Sequence, residues 1–308
     1  MARLSVAPET TLQCGALKAV LAPAAGGRLT RLMSTDATTG EATDWLVPLD
    51  DAVRAGGFEA TAWPKAGCYP LVPFSNRIRA GHFVFEGRSV QLPIHPGERH
   101  ALHGGSHRMP WQLIRQQAQS ATMMYLHAEG EHGWPWAFRA EQDVVLDSSG
   151  VTLRLRITNE SAAAMPCGCG FHPYFPAHFG HRLQFRAGTV WPPTADFLAL
   201  GPVQVEAQHD YAAPRTLPDL ELTQYYGEWD GQATLMSADG RSIRMRAEAL
   251  AHLVLHRPAG KGYFCVEPVS HVADAANIAQ QLGQRTGWQV LLPGETLACS
   301  VRIECLAS

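Results

Sequence analysis

Charge is scarce in this sequence, and so are long apolar runs. Asp, Glu, Lys and Arg make up 17% of the 308 residues, against 46% hydrophobic ones. That ratio excludes a chain held open by solvation and leaves enough apolar side chain for a substantial core. The formal net charge is −3 and no basic stripe appears, which argues against nucleic acid as a partner. No stretch approaches the length of apolar run that a membrane helix needs. The most apolar early segment, "ALKAVLAPAAGG", is broken by Lys18 and Pro23, so no membrane span is expected. "MARLSVAPET" carries neither an apolar core nor an evident cleavage site, so no signal peptide is read there. The seven cysteines are odd in number and scattered, unlike a disulfide framework, and fit a reducing cytoplasm. "CGC" at 167–169 puts one residue between its sulfurs, where a usual zinc knuckle has two.

Several chemical signatures are missing as well. There is no GxxxxGK[ST] phosphate loop and no GxSxG elbow, and "GCGFHP" lacks the third glycine of a dinucleotide loop. Internal repeats, low-complexity tracts and Gly/Ser linkers are also absent, so residues 1–308 read as a single domain. What is present is turn chemistry, with 28 Gly and 21 Pro between short alternating segments. "HFVFEGRSVQLPI" reads as a hairpin around Glu86-Gly87. Further turns between alternating segments are expected at Asp147–Gly150, at Asp239-Gly240 and at Pro293-Gly294. Val151, Leu153, Leu155 and Ile157 face one way, and Thr152, Arg154, Arg156 and Thr158 the other. The best helical signal, 274–283, is short and ends at Gly283. The fold class is therefore all-β, a large antiparallel β-sandwich with long loops.

Histidine is abundant, with 14 residues. His95, His100, His103 and His107 lie close together with His82 just upstream, and His172, His178 and His181 form a second group. Imidazole suits both proton transfer and metal ligation. In "HALHGGSH" the spacing would converge on a helix, but Gly104-Gly105 oppose one, so no metal site is expected. Glu267 ends the apolar run of "YFCVEPVSH". Desolvated there, it would be a better base; pointed to water, it would be an ordinary strand-end carboxylate, and periodicity alone favours the second reading. Glu295, in the turn "LLPGET", is expected to face water. Arg77 follows an apolar run and could either donate to hydroxyls or form a structural ion pair. Trp134 and Trp136 in "GWPWAF" read as core rather than as a sugar platform. In "GCGFHPYF", residues 168–175, His172 sits between Phe171 and Pro173, which would hold a proton donor rigidly.

Four segments in order, "CYPLVPFSNRIRAGHFVFEG", "HALHGG", "PCGCGFHPYF" and "FCVEPVSHVADAAN", resemble the aldose 1-epimerase (galactose mutarotase) family. The resemblance implies the supersandwich form of the β-sandwich. It also implies interconversion of the α and β anomers of a free aldose, with no cofactor and no metal, and a small-molecule sugar as the partner. By motif, His172 matches the general acid and Glu267 the general base. His103 matches a substrate-binding, charge-stabilising histidine, and Asn76, Arg77 and Tyr174 match hydroxyl ligands. One departure is visible: Thr223 or Gln224 stands where many members carry a sugar-binding Asp, with Asp230 nearby but offset. Other readings within reach are a hexose-6-phosphate 1-epimerase, for which Arg77, Arg79 and Arg99 could supply cations, a non-catalytic sugar-binding protein, and a metal-dependent barrel enzyme.

Overall fold

A computed structural model describes residues 3–307. Two antiparallel sheets dominate the described residues, one of eight strands and one of eleven. The smaller sheet runs Gln112–Gln116, Ser120–His127, Phe138–Leu146, Gly150–Asn159, Thr296–Leu306, Ser242–Glu248, Gln232–Met236, Arg182–Phe185. The larger runs Thr10–Cys14, Leu17–Ala22, Arg28–Thr35, Cys68–Leu71, Gly170–Pro176, Tyr263–Val269, His252–Arg257, Leu222–Gly227, Thr189–Trp191, Val203–Gln204, with Ala42–Asp44 pairing on Arg28–Thr35.

The two-residue period decides which side chains lie between the sheets. Val151, Leu153, Leu155 and Ile157 are buried while Arg154 is exposed, as the alternation predicts. They share one core cluster with Phe171, Phe175, Leu253, Leu255, Phe264 and Val266 of the larger sheet. The other face of that sheet carries Tyr69, Tyr174, Tyr225, Val254 and Cys265, buried in a second cluster beneath the loops. Both faces of the large sheet are thus covered, and the second one holds the site described below. Trp134 and Trp136 lie in the inter-sheet core, beside Phe74 and Phe83, as the sequence suggested.

The turns at Glu86-Gly87, Asp147–Gly150 and Asp239-Gly240 each join paired neighbours. The Pro293-Gly294 turn does not. Gln289–Leu291 pairs with Met165–Cys167, whereas Thr296–Leu306 pairs with Gly150–Asn159 and Ser242–Glu248. A turn signal marks a reversal of direction, not the partner that follows it. The expected helix forms over Ala275–Leu282 and ends at Gly283. A shorter one, Asp51–Gly56, escaped the sequence reading because it buries no residue and so shows no periodicity. Its N-terminus is held by Asp50, whose carboxylate accepts the Ala52 and Val53 N–H groups.

Candidate active site

The strands act as a ruler across the second face. Gly170 pairs with Val269 and Tyr174 with Cys265, so the register sets His172 opposite Glu267. Glu267 pairs with Val254, and Val254 with Tyr225. One two-residue step away, about 7 Å, Tyr174, Cys265, His256 and Thr223 form the next row. In "GCGFHPYF" the alternation sends Phe171 and Phe175 into the inter-sheet core and His172 and Tyr174 to this face. The two buried phenylalanines anchor the strand that aims the imidazole.

His172 Nε2 lies 3.5 Å from Glu267 Oε1. Both residues are buried, Glu267 to 3% exposure, so the expectation of a solvent-facing strand-end carboxylate is overturned: every residue of its strand from Phe264 to Val269 is covered. His172 Nδ1 and Glu267 Oε2 find no hydrogen-bond partner among the described residues. The rings of Tyr69 and Tyr174 lie near-parallel to the imidazole, at 4.8 and 4.6 Å between centroids, and limit its rotation. Tyr174 keeps its hydroxyl on Trp63, which donates from Nε1 at 3.3 Å.

His103 meets His172 edge-on at 5.3 Å. The Asn76 N–H donates to His103 Nδ1 at 3.0 Å, and the His103 N–H donates to the Asn76 carbonyl at 2.9 Å. Nδ1 is therefore an acceptor, and a neutral ring carries its proton on Nε2. His103 itself has φ 57°, and Gly104 follows with φ 65°, where a Cβ would fall 2.4 Å from the Val72 carbonyl oxygen. The "HGG" turn needs its glycine there. No α-helix forms around it, only a 3-10 turn over Ser106–Arg108, and His100 and His107 do not converge with His103 on a metal set: His100 takes the Ala80 N–H and faces Asp196, while His107 packs between Trp63 and Tyr69.

Arg77 forms the ion pair, one of its two sequence readings. Its guanidinium forks onto Glu98, with Nη2 2.8 Å from Oε1 and Nε 3.1 Å from Oε2, stacks 4.7 Å from the Phe197 ring, and lines the cavity. Asp274 secures the backbone beneath it. The Asp274 N–H donates to the Arg77 carbonyl at 2.7 Å, and its fully buried carboxylate accepts the Arg79 N–H and Nε.

These groups open onto a cavity of about 350 Å³, within the ordinary size range of small-ligand sites. His172, Glu267, His103, Asn76, Arg77 and Tyr174 all line it. Sequence reasoning missed Trp63, Lys65, Phe197 and His256, which line it too. Thr223 faces the cavity and its hydroxyl lies 2.9 Å from His256 Nδ1, whereas Gln224 turns away and donates to the Trp191 carbonyl. Asp230 is exposed and lies outside the lining. Glu295 is exposed and caps its own turn by accepting the Leu292 N–H.

Burial pushes the Glu267 carboxyl up to about 8, opposed by the nearby Arg77 guanidinium. Burial holds His172 well below the usual imidazole range, helped by His103, Lys65 and Arg28. His103 is held down in the same way. The site favours one proton on the His172–Glu267 pair around neutrality, with no net charge. Among the described residues, His172, Cys265 and Glu267 bring their donor atoms within 4.8 Å of one another, the one grouping with the ligands of a cation site. Burial raises the Cys265 thiol well above its usual value, and a nearby Glu267 charge raises it further. A cation there would have to displace a thiol proton and the shared proton, so the donor set is matched to proton exchange better than to a divalent ion.

The uncharacterized protein YphB of Escherichia coli (strain K12) is 34% identical over 221 residues, 68% of this chain and 74% of that protein. An aldose 1-epimerase candidate of known structure from Escherichia coli K12 superposes with a TM-score of 0.82 at 27% identity, covering 96% of this chain and 98% of that one. A galactose mutarotase-like protein from Clostridium acetobutylicum shares the fold, with a TM-score of 0.82 at 17% identity over 97% and 95% of the two chains. A family profile described as aldose 1-epimerase matches residues 9–304. With the match running nearly end to end and the four motifs meeting around one cavity, this chain belongs to the aldose 1-epimerase family.

Proposed function

We propose that the protein interconverts the α and β anomers of an unphosphorylated aldose, using Glu267 and His172 as a proton-exchanging pair. The observation that carries this reading is a buried carboxylate and imidazole, 3.5 Å apart, whose residues both line a sugar-sized cavity. Ring opening removes the proton from the C1 hydroxyl and adds one to the ring oxygen. The form Glu267 carboxylate with His172 imidazolium takes the first proton and gives the second. It ends as Glu267 carboxylic acid with neutral His172, the distribution that burial favours. The open-chain aldehyde rotates about C1–C2. Glu267 then returns its proton to the carbonyl oxygen while His172 takes one from the C5 hydroxyl, and the ring closes on the other face. The pair keeps the same total number of protons throughout, so no net charge enters a dry site. Each positioned group gives roughly 10²–10⁴-fold, together about 5–11 kcal/mol of barrier. His103, donating from Nε2, and Arg77, held by Glu98, are the hydroxyl and oxyanion contacts in this reading, with Asn76 beside them.

The cations argue for a free sugar. Arg79 is committed to Asp274 and Arg77 to Glu98, leaving Lys65 as the unpaired cation of the lining, too few for a phosphate dianion. Polarimetry of freshly dissolved α-glucose and α-galactose tests the reading. The protein is expected to accelerate the approach to equilibrium rotation well beyond the uncatalysed rate. No acceleration with either sugar or with a pentose would sink it.

A further inference from the structure

The same sheet face carries a second cavity. Thr189 pairs with Gly227, Trp191 with Tyr225, and the Tyr226–Leu253 register sets Gly227 beside His252. Thr189, Gly227 and His252 therefore form the row next to Tyr225, Val254 and Glu267, on the side away from Cys265 and Tyr174. A cavity of about 490 Å³ opens over that row, larger than the one at Glu267. Trp191, Tyr225 and Val254 stand between the two: Val254 lines the first and Trp191 the second.

Three features mark it as built for a polar ligand. Trp191 is 1% exposed, yet its Nε1 has no hydrogen-bond partner, a cost the fold leaves standing. Gly227 puts no side chain against that N–H: a Cβ there would come within 2.7 Å of both Trp191 Nε1 and Thr189 Oγ1. Gln204, Glu228 and Arg285 line the same cavity, with Pro202 and Val203 supplying an apolar side. Among the described residues Glu228 and Arg285 form no ion pair, and His252 fixes the Arg285 backbone by facing its carbonyl from Nε2 at 3.0 Å.

We propose that this cavity is a second binding site, taking a small neutral polyol such as a monosaccharide. Interleaved donors and acceptors suit several hydroxyls. One acid and one base leave no net charge to select an ion. The Pro202–Val203 side suits the C–H face of a sugar, and the orphaned indole N–H would donate to one of its oxygens. The site makes no use of His172 or Glu267, so it stands whether or not the anomerase reading does.

The probe is D-glucose, with galactose and sorbitol as further arms. The Trp191 indole N–H resonance, identified by its loss in Trp191→Phe, is followed by heteronuclear NMR on the whole protein. It is expected to shift saturably, and to do so equally in a Glu267→Gln/His103→Ala protein whose first cavity is impaired. Arg285→Ala, a surface change that leaves the core intact, should weaken the shift about tenfold, and Gly227→Ala should abolish it. Mutarotation by Arg285→Ala should match the wild type. A Trp191 resonance unmoved by all three polyols would overturn the proposal. So would a shift that disappears in the Glu267→Gln/His103→Ala protein, because the signal would then be relayed from the first cavity.

Discussion

Replacing Glu267 by Gln keeps the shape of the side chain and removes its ability to take a proton. The carboxylate is buried opposite His172 and positioned by strand register, so the variant should fold and bind sugar much as before. Loss of one positioned base costs roughly 10²–10⁴ in kcat, or about 2.7–5.4 kcal/mol at 1.36 kcal/mol per tenfold. Stability carries an independent signature. Burial raises the Glu267 carboxyl from 4.5 to about 8, so between those values the folded state holds a proton that the unfolded chain has released. That stabilisation is fully present below the unfolded value and is lost as pH rises through the folded one, at about 1.4 kcal/mol per unit. Gln has no such proton. The Tm of Glu267→Gln relative to wild type should therefore climb steadily from pH 5 to pH 8 and level off above. Polarimetry gives the rate, and thermal melts in a pH series give the stability. Wild-type kcat/KM should also fall above about pH 8, as the pair loses its single proton, and this limb should vanish from the residual activity of the variant. Glu295→Gln, an exposed change in a turn, serves as the control and should stay within a few-fold of wild type. Near-normal turnover by Glu267→Gln, or a Tm difference flat across pH, would refute the assignment of a buried, raised carboxyl as the base.

His172→Ala should remain folded and lose on the order of 10²–10⁴ in kcat, whereas His103→Ala should raise KM as well; a folded, active His172→Ala would remove the proton donor from the scheme. Exhaustive chelation should leave mutarotation unchanged, and a large loss restored by zinc would show that His172, Cys265 and Glu267 hold an ion after all. Glucose should be preferred to glucose 6-phosphate in kcat/KM; a 100-fold preference for the phosphate, about 2.7 kcal/mol, would move the protein to the phosphosugar reading.

Much of this was legible in the chain before folding, and the parts that were not share a cause. Two-residue periodicity gave the sheet class and the inward faces of Val151–Ile157, because that pattern is local. His172, Glu267, His103, Asn76 and Arg77 were found through motifs, and the fold gathers them at one cavity. The burial of Glu267 was misjudged because its strand is covered on both faces, and an apolar run with one acid looks the same whether the acid meets water or a closed pocket. Tyr69, Phe197, His256 and Lys65 carried no local mark. They reach the site through pairings between segments far apart in sequence, such as Cys68–Leu71 against Gly170–Pro176. The one partial signal was arithmetic: two residues back from Glu267 is Cys265, and two on from His172 is Tyr174. The partner of Gln289–Leu291 was lost for the same reason, since a turn at Pro293-Gly294 says nothing about which distant edge is free.

One buried charge ties this electrostatic design together. Arg28 is fully buried and, among the described residues, meets no carboxylate and leaves Nε and Nη2 unpartnered. Its Nη1 donates to the Ala66 carbonyl at 2.7 Å and the Pro64 carbonyl at 3.3 Å, holding the segment that presents Trp63 and Lys65. Its guanidinium carbon sits 4.5 Å from the centre of the Tyr69 ring, which abuts His172 in turn. An uncompensated buried cation costs several kcal/mol, and a loop could be held without one. Its effect on the site is specific: behind the rings it disfavours imidazolium on His172, while Arg77, on the cavity side, favours carboxylate on Glu267. The two cations pull the pair toward fewer protons, and burial of Glu267 pulls it back. Burial of both residues outweighs the two cations, so the pair rests as Glu267 carboxylic acid with neutral His172, and a reversible exchange between two anomers starts from this uncharged pair and returns to it.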